Sequence, residues 1–192
     1  GVYCLEEYLA QTKNTNKLKI AVQGFGNVGS FFAKIASDNP NWQVVAVSDS
    51  SATVIDDNGL DINKLIEFKK RDQLKNCDFA RTDSVEKIFS LDVDILVLAA
   101  LDNAVNDSNK DTIKSSTLLE LANSPIDTRA EEYLLGQGKV IIPDIIANSG
   151  GVIVSFLEWM QNKQGQTWTE AEVNAKLKKF MITATDNMIN VS

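Results

Sequence analysis

The stretch Lys17-Leu18-Lys19-Ile20-Ala21-Val22-Gln23-Gly24-Phe25-Gly26-Asn27-Val28-Gly29 constrains the fold of this chain more than any other. The apolar run before Gly24 is too short for an independent helix and too β-branched to prefer one, so it reads as a buried strand. Gly24-x-Gly26-x-x-Gly29 follows, and Ser30-Phe31-Phe32-Ala33-Lys34-Ile35-Ala36 then carries an amphipathic helical pattern. A second apolar run, Trp42-Gln43-Val44-Val45-Ala46-Val47, stops at Ser48-Asp49. The acid stands roughly 20 residues beyond the last glycine, the spacing of a strand–turn–helix–strand unit that holds a dinucleotide.

Each position has a physical job in that reading. Gly24 permits the tight turn out of the strand, Gly26 has no Cβ to block a pyrophosphate, and Gly29 lets the helix approach the sheet. A helix starting near Asn27 turns its free N–H groups and positive dipole end towards the phosphates. Asp49, at the carboxyl end of the second strand, is expected to accept hydrogen bonds from the adenosine ribose.

Composition removes several other functions. Lys and Arg number 19 against 26 Asp and Glu, a net charge of −7, and no basic cluster interrupts the acidity. Nucleic acid and anionic membrane are therefore not expected partners. No apolar run approaches a transmembrane length and the first residues lack a signal-peptide pattern, so a cytoplasmic protein is expected. Cys4 and Cys77 are far apart with no CxxC spacing and read as reduced thiols. Histidine is absent, which removes the usual general base, the commonest zinc ligand and any Ser-His-Asp arrangement. No metal site is expected.

Along the chain, residues 2–10 read as a helix and 11–16 as a polar linker. The abrupt start suggests an excised piece of something longer. After the second strand, Asp56-Asp57-Asn58-Gly59 is a turn. Residues 60–70 read as a helix whose Lys69-Lys70-Arg71 end is a solvated terminus favoured by the dipole. Residues 79–89 are irregular, with a short helix over 85–89. Strands are expected at 94–100, 118–121 and 139–143. Between the last two lies a helix with Thr128 and Glu131 as its capping box and Gly136 as its stop. Residues 150–161 and a stretch from Thr169 towards Met188 complete the helices.

Strands apolar throughout, alternating with helices, predict one α/β domain over residues 1–192: a doubly wound, mainly parallel, Rossmann-like sheet covered on both faces. Ligands of such sheets sit beyond the carboxyl ends of the strands. That rule selects the loops 24–29, 49–51, 100–103, 122–125 and 144–151. Asn123 and Asn148 fall in the last two, where each is either an ordinary turn former or a partner for a carboxamide.

These motifs resemble the coenzyme domain of glutamate dehydrogenases. The resemblance rests on Ala21-Val22-Gln23-Gly24-Phe25-Gly26-Asn27-Val28-Gly29-Ser30 and Val45-Ala46-Val47-Ser48-Asp49-Ser50-Ser51. Ile142-Pro143-Asp144-Ile145-Ile146-Ala147-Asn148-Ser149-Gly150-Gly151-Val152 and Ser155-Phe156-Leu157-Glu158-Trp159 extend it, and Asp94-Ile95-Leu96-Val97 followed by Ala99, Ala100 and Asn103 is similar too. The wider family acts on glutamate, leucine, phenylalanine or valine, and the Ser155 to Trp159 element points to its glutamate branch.

The resemblance implies an enzyme that oxidatively deaminates L-glutamate to 2-oxoglutarate and ammonia by hydride transfer to NAD(P). Coenzyme contacts are then expected from Gly24, Phe25, Gly26, Asn27, Val28 and Gly29, from Asp49 and Ser50, and from Ala99, Ala100 and Asn103. Asn123 and Asn148 would lie beside the nicotinamide, with Val152 and Ser155 on the substrate side. NAD is the expected coenzyme, since Asp49 repels a 2′-phosphate and no Lys or Arg lies between Ser48 and Gly59; NADP is the other candidate. The family's Glu-Gly-Ala-Asn-Gly-Pro-Thr is here Glu120-Leu121-Ala122-Asn123-Ser124-Pro125-Ile126, and Ser149 replaces an alanine. In this family the catalytic lysine and aspartate belong to a separate N-terminal domain, which nothing here resembles. The expected protein is the coenzyme half of an enzyme whose full-length form is a homo-oligomer, with no catalytic residue of its own. A non-catalytic dinucleotide-sensing or interaction module is the alternative.

Overall fold

The computed structural model describes residues 1–12 and 17–191; residues 13–16, within the expected polar linker, lie outside the described residues. After α1 (Val2–Gln11), the strand β1 (Leu18–Gln23), helix α2 (Asn27–Ser37) and strand β2 (Trp42–Ser48) form the expected unit. β3 (Thr53–Ile55), α3 (Ile62–Lys69) and β4 (Arg81–Asp83) follow, then β5 (Ile95–Leu98), β6 (Thr117–Glu120), α4 (Thr128–Gly136) and β7 (Val140–Ile142). The short α5 (Asp144–Ala147) leads into α6 (Gly150–Gln164) and α7 (Glu170–Val191).

Among the described residues the seven strands form one sheet in the order β4-β3-β2-β1-β5-β6-β7. The β1–β2, β1–β5, β5–β6 and β6–β7 pairs are parallel, so the doubly wound, mainly parallel expectation holds. β3 and β4 are the exception, added antiparallel at the β2 edge. They were not expected, because three residues are too few to display a period.

Alternate residues of β1 serve opposite faces. Ile20 and Val22 join the core under α1, α2 and α7, while Ala21 joins the second core, which includes Leu134 of α4. All four are buried. α2 fits the first core through Phe32, Ala33 and Ala36 and leaves Phe31 and Ile35 exposed.

Two helix starts can be compared with their expected caps. Thr169 and Glu172 cap α7 reciprocally: the Thr169 N–H donates to Glu172 Oε2 at 2.7 Å, and the Glu172 N–H to Thr169 Oγ1 at 3.3 Å. α4 corrects the expectation. Its N-cap is Asp127, whose Oδ1 accepts from the Ala130 N–H at 2.7 Å. Thr128 is the first helical residue, and the Glu131 N–H that a Thr128 cap would serve donates instead to the Asp127 carbonyl at 2.9 Å. Cys4 and Cys77 are buried and unbridged. No helix among the described residues is long and apolar enough to cross a membrane.

Register sets where function can sit. Gln23 lies beside Ser48 and Leu98, and Leu98 beside Glu120. The carboxyl ends of β1, β2, β5 and β6 thus form one edge. The chain winds from β1 to β2 on one side and returns to β5 on the other, making β1/β5 the switch point where such sheets open a crevice.

Candidate functional site

The glycine turn stands at that switch point. Gly24 has φ +95°, and a Cβ there would lie 2.7 Å from both Cβ and N of Ala100. The turn therefore rests directly on Ala99 and Ala100 at the end of β5. The N–H groups of Gly24 and Phe25 both donate to the Ser48 carbonyl, at 2.9 and 2.7 Å, which ties the turn to β2. A Cβ on Gly29 would sit 1.8 Å from the Gly24 carbonyl oxygen, so α2 meets the turn at a distance only glycine allows. Gly26 differs: a Cβ there would meet nothing within 4 Å. It is exposed and N-caps α2 without a side-chain cap. Two glycines serve packing, and the third leaves the start of α2 uncovered by any side chain.

Asp49 begins the loop after β2. Its Oδ1 accepts from the Ser51 N–H at 2.7 Å, the Ser51 hydroxyl at 2.6 Å and the Ala52 N–H at 3.2 Å. Its Oδ2 pairs with Lys69 Nζ, from the end of α3. One oxygen thus shapes the loop, and the other meets a cation from α3. The expectation that Lys69 is solvated is corrected, because its side chain is drawn onto Asp49 and only 33% exposed. Burial lowers its ammonium below the ordinary lysine value. Lys70 keeps the solvated reading, 64% exposed beside Glu67.

At the other end of the edge, Asn148 Nδ2 donates to Asn123 Oδ1 at 2.7 Å. The two amides, 25 residues apart, form a single unit. What remains on it is an amino donor on Asn123 and a carbonyl acceptor on Asn148, the complement of a carboxamide. Both line a cleft of about 890 Å³ that also includes Val28, Val152 and Ser155, with Phe31, Leu121 and Met181 among its apolar walls. Ser155 Oγ donates to the Gly151 carbonyl at 3.1 Å and stays exposed. Val152 is 75% exposed.

The loops behind the amides are held by carboxylates. Asp144 Oδ2 accepts from the Ser124 N–H at 2.7 Å, and Glu120 Oε2 accepts from the Asp144 N–H at 3.0 Å. Ser124 has φ +43° and Asn103 φ +49°, and the Asn103 N–H donates to the Ser124 carbonyl at 2.9 Å. Glu120 is 7% exposed. Burial pushes its carboxyl up to about 7; the Asp144 N–H opposes this, and the charges of Asp144 and Glu131 add to it.

The model of the Glutamate/Leucine/Phenylalanine/Valine dehydrogenase family matches residues 1–192. The chain belongs to that family. An NAD-specific glutamate dehydrogenase of Staphylococcus aureus is 39% identical over 196 residues, covering 100% of this chain and 47% of the relative. An NADP-specific glutamate dehydrogenase of Synechocystis is 37% identical, over 90% of this chain and 42% of the relative. The chain therefore spans less than half the length of these curated relatives. Among solved structures, the Leu-bound hetero-hexameric glutamate dehydrogenase of Thermus thermophilus superposes with a TM-score of 0.87 at 28% identity, over 96% of this chain and 44% of that one. The Peptoniphilus asaccharolyticus glutamate dehydrogenase gives 0.78 at 31%, over 99% and 45%.

For a member of this family, the candidate residues fall into two groups on one edge. The glycine turn, Asp49, Ser50, Ala99 and Ala100 surround the ends of β1, β2 and β5, and Asn123, Asn148, Val152 and Ser155 line the cleft beside Val28. Asn103 joins them through its backbone bond to Ser124 and not as a wall of that cleft. Sequence reasoning missed Lys69, Glu120 and Asp144. Glu120 carried a signal: it is a carboxylate in an otherwise apolar strand, which demands a partner.

Proposed function

We propose that this chain is the coenzyme-binding half of a glutamate dehydrogenase, a single domain that carries a nicotinamide coenzyme along the carboxyl edge of its sheet. The observation that carries this reading is the contrast within the glycine turn. Gly24 and Gly29 are closed against backbone, while Gly26 faces open space at the start of α2. A turn built only for packing has no use for the third glycine, whereas a pyrophosphate needs its missing Cβ. Phe25, Asn27 and Val28 complete the phosphate turn, and Asp49 with Ser50 takes the adenosine ribose.

When bound, the coenzyme supplies the hydride acceptor. The chain's own residues bind and orient. The Asn123–Asn148 unit presents one donor and one acceptor to the carboxamide, which fixes which face of the ring meets the substrate. Ser155 and Val152 form the wall on the substrate side, and the Ser155 hydroxyl would turn from the Gly151 carbonyl to donate to the side-chain carboxylate of L-glutamate. Phe31, Leu121 and Met181 give the same cleft apolar walls. No residue here is assigned as the acid or base that moves the amine proton; those groups belong to the remainder of the protein, together with the contacts that build its oligomer. The whole protein is read as cytoplasmic.

NAD is the preferred coenzyme, held through Asp49 Oδ2. Lys69 supports NADP as the other candidate. A cation reaches Asp49 from α3, outside the segment 48–59, and is the group to receive a 2′-phosphate.

Absorbance of reduced coenzyme with glutamate and NAD tests the division of labour. General acid–base groups contribute roughly 10² to 10⁴ in rate, so this chain alone should give no detectable turnover. Joined to the rest of its protein, it should turn over. Robust activity of the chain alone would place a catalytic group among these residues. A full-length protein that binds NAD yet never turns over would favour the sensing module.

A further inference from the structure

Among the described residues Glu120 is the one carboxylate buried in the parallel strands, and neither the hydride chemistry nor the phosphate turn uses it. It sits at the last position of β6, 7% exposed. A carboxyl at such depth persists only where it holds something. What it holds is the N–H of Asp144, the first residue of α5, at 3.0 Å. Asp144 in turn takes the Ser124 N–H at 2.7 Å, directly after Asn123, and α5 ends against Asn148. The two loops that carry the amides therefore meet twice: once through Asn148 and Asn123 at 2.7 Å, and once behind them through Glu120, Asp144 and Ser124.

We propose that Glu120 is a positioning residue for the nicotinamide end of the coenzyme, setting the spacing of Asn123 and Asn148 through Asp144 according to its own proton state. This rests on the coenzyme reading above. The charged groups facing Glu120 are Asp144 of α5 and Glu131 of α4, both negative. With burial they bring its proton transition to about 7, inside the working range of a cytoplasmic protein. Above that pH an ionised carboxylate accepts the Asp144 N–H in a charge-assisted bond, roughly twice as strong as a neutral one. Below it the carboxyl is neutral, the tie to α5 slackens, and the amide pair loses its fixed separation. The phosphate turn and Asp49 lie on β1 and β2 and are untouched by the change.

The test compares NADH with ADP-ribose, which has the same pyrophosphate and adenosine ribose but no nicotinamide. Titrations of the chain at pH 6 and pH 8 should give NADH affinity higher at pH 8 by about fivefold, the scale of the difference between a charged and a neutral acceptor. ADP-ribose affinity should be the same at both. Glu120→Gln keeps an acceptor for the Asp144 N–H and cannot ionise, so the NADH step should vanish. Glu120→Ala removes the acceptor and should weaken NADH by about tenfold at pH 8 while leaving ADP-ribose alone. Coincident NADH profiles for wild type and Glu120→Gln would overturn the assignment, as would a parallel loss of ADP-ribose in Glu120→Ala, which would mark a purely structural residue. Absence of both ligands from the wild-type chain would instead defeat the coenzyme reading, and this inference with it.

Discussion

One methyl group placed at Gly29 and one at Gly26 should have very different consequences, although the two glycines belong to the same turn. At Gly29 the new Cβ lies 1.8 Å from the Gly24 carbonyl oxygen, where contacts below 3.0 Å essentially never occur. The obstacle is backbone and has no rotamer to escape into, so α2 must back away from β1 by more than about 1 Å in an interior packed to crystal density. Overpacking of this kind costs about 1–3 kcal/mol, and a backbone clash belongs at the upper end, about 3 kcal/mol. At Gly26 the Cβ meets nothing within 4 Å, and the residue already has φ −90°. Alanine is a poorer N-cap than glycine but loses less backbone entropy on folding; the two effects nearly cancel, leaving a change within about 0.5 kcal/mol. Urea unfolding followed by circular dichroism reads both variants. With m near 1–3 kcal/mol per molar, Gly29→Ala should lower the midpoint by about 1 M or more, and Gly26→Ala should leave it nearly unchanged. A Gly29→Ala chain as stable as wild type would refute the close approach, and with it the division of the turn into packing and binding glycines.

Two further outcomes follow from the same geometry. Lys69→Met removes the cation beside Asp49, so NADPH affinity should fall by about tenfold or more, the scale of a charge-assisted hydrogen bond, while NADH changes little; equal losses in fluorescence titrations would make the ion pair structural. Ser124 holds φ +43° where the resembled motif has glycine, so Ser124→Gly should stabilise the chain by about 0.5–1 kcal/mol, the left-handed strain less the added unfolded-state entropy; a lower thermal midpoint would show that the serine side chain is needed.

The parts legible in the sequence were those whose signals are local. The glycine turn, α2 and the acid after β2 lie within one short βαβ unit, and each residue's role follows from its neighbours. Asn123 and Asn148 were both singled out, but their hydrogen bond was not, because it depends on β6 and β7 lying side by side with Leu119 against Ile142. Lys69 was hidden for the same reason. Its own helix makes it look like a solvated end, and only the packing of α3 near the β2 loop draws it onto Asp49. Asp127 took the cap from Thr128 by a shift of one residue, a choice that periodicity does not resolve.

The central claim is that Gly26 opens the start of α2 to the coenzyme pyrophosphate. Calorimetric titration of NADH into the wild-type chain and into Gly26→Val tests it most directly, with circular dichroism to establish that both are folded. The wild-type chain should give a saturable heat and the valine variant none, since its side chain would occupy the space that the phosphates require. Equal affinity in two folded proteins would contradict the account.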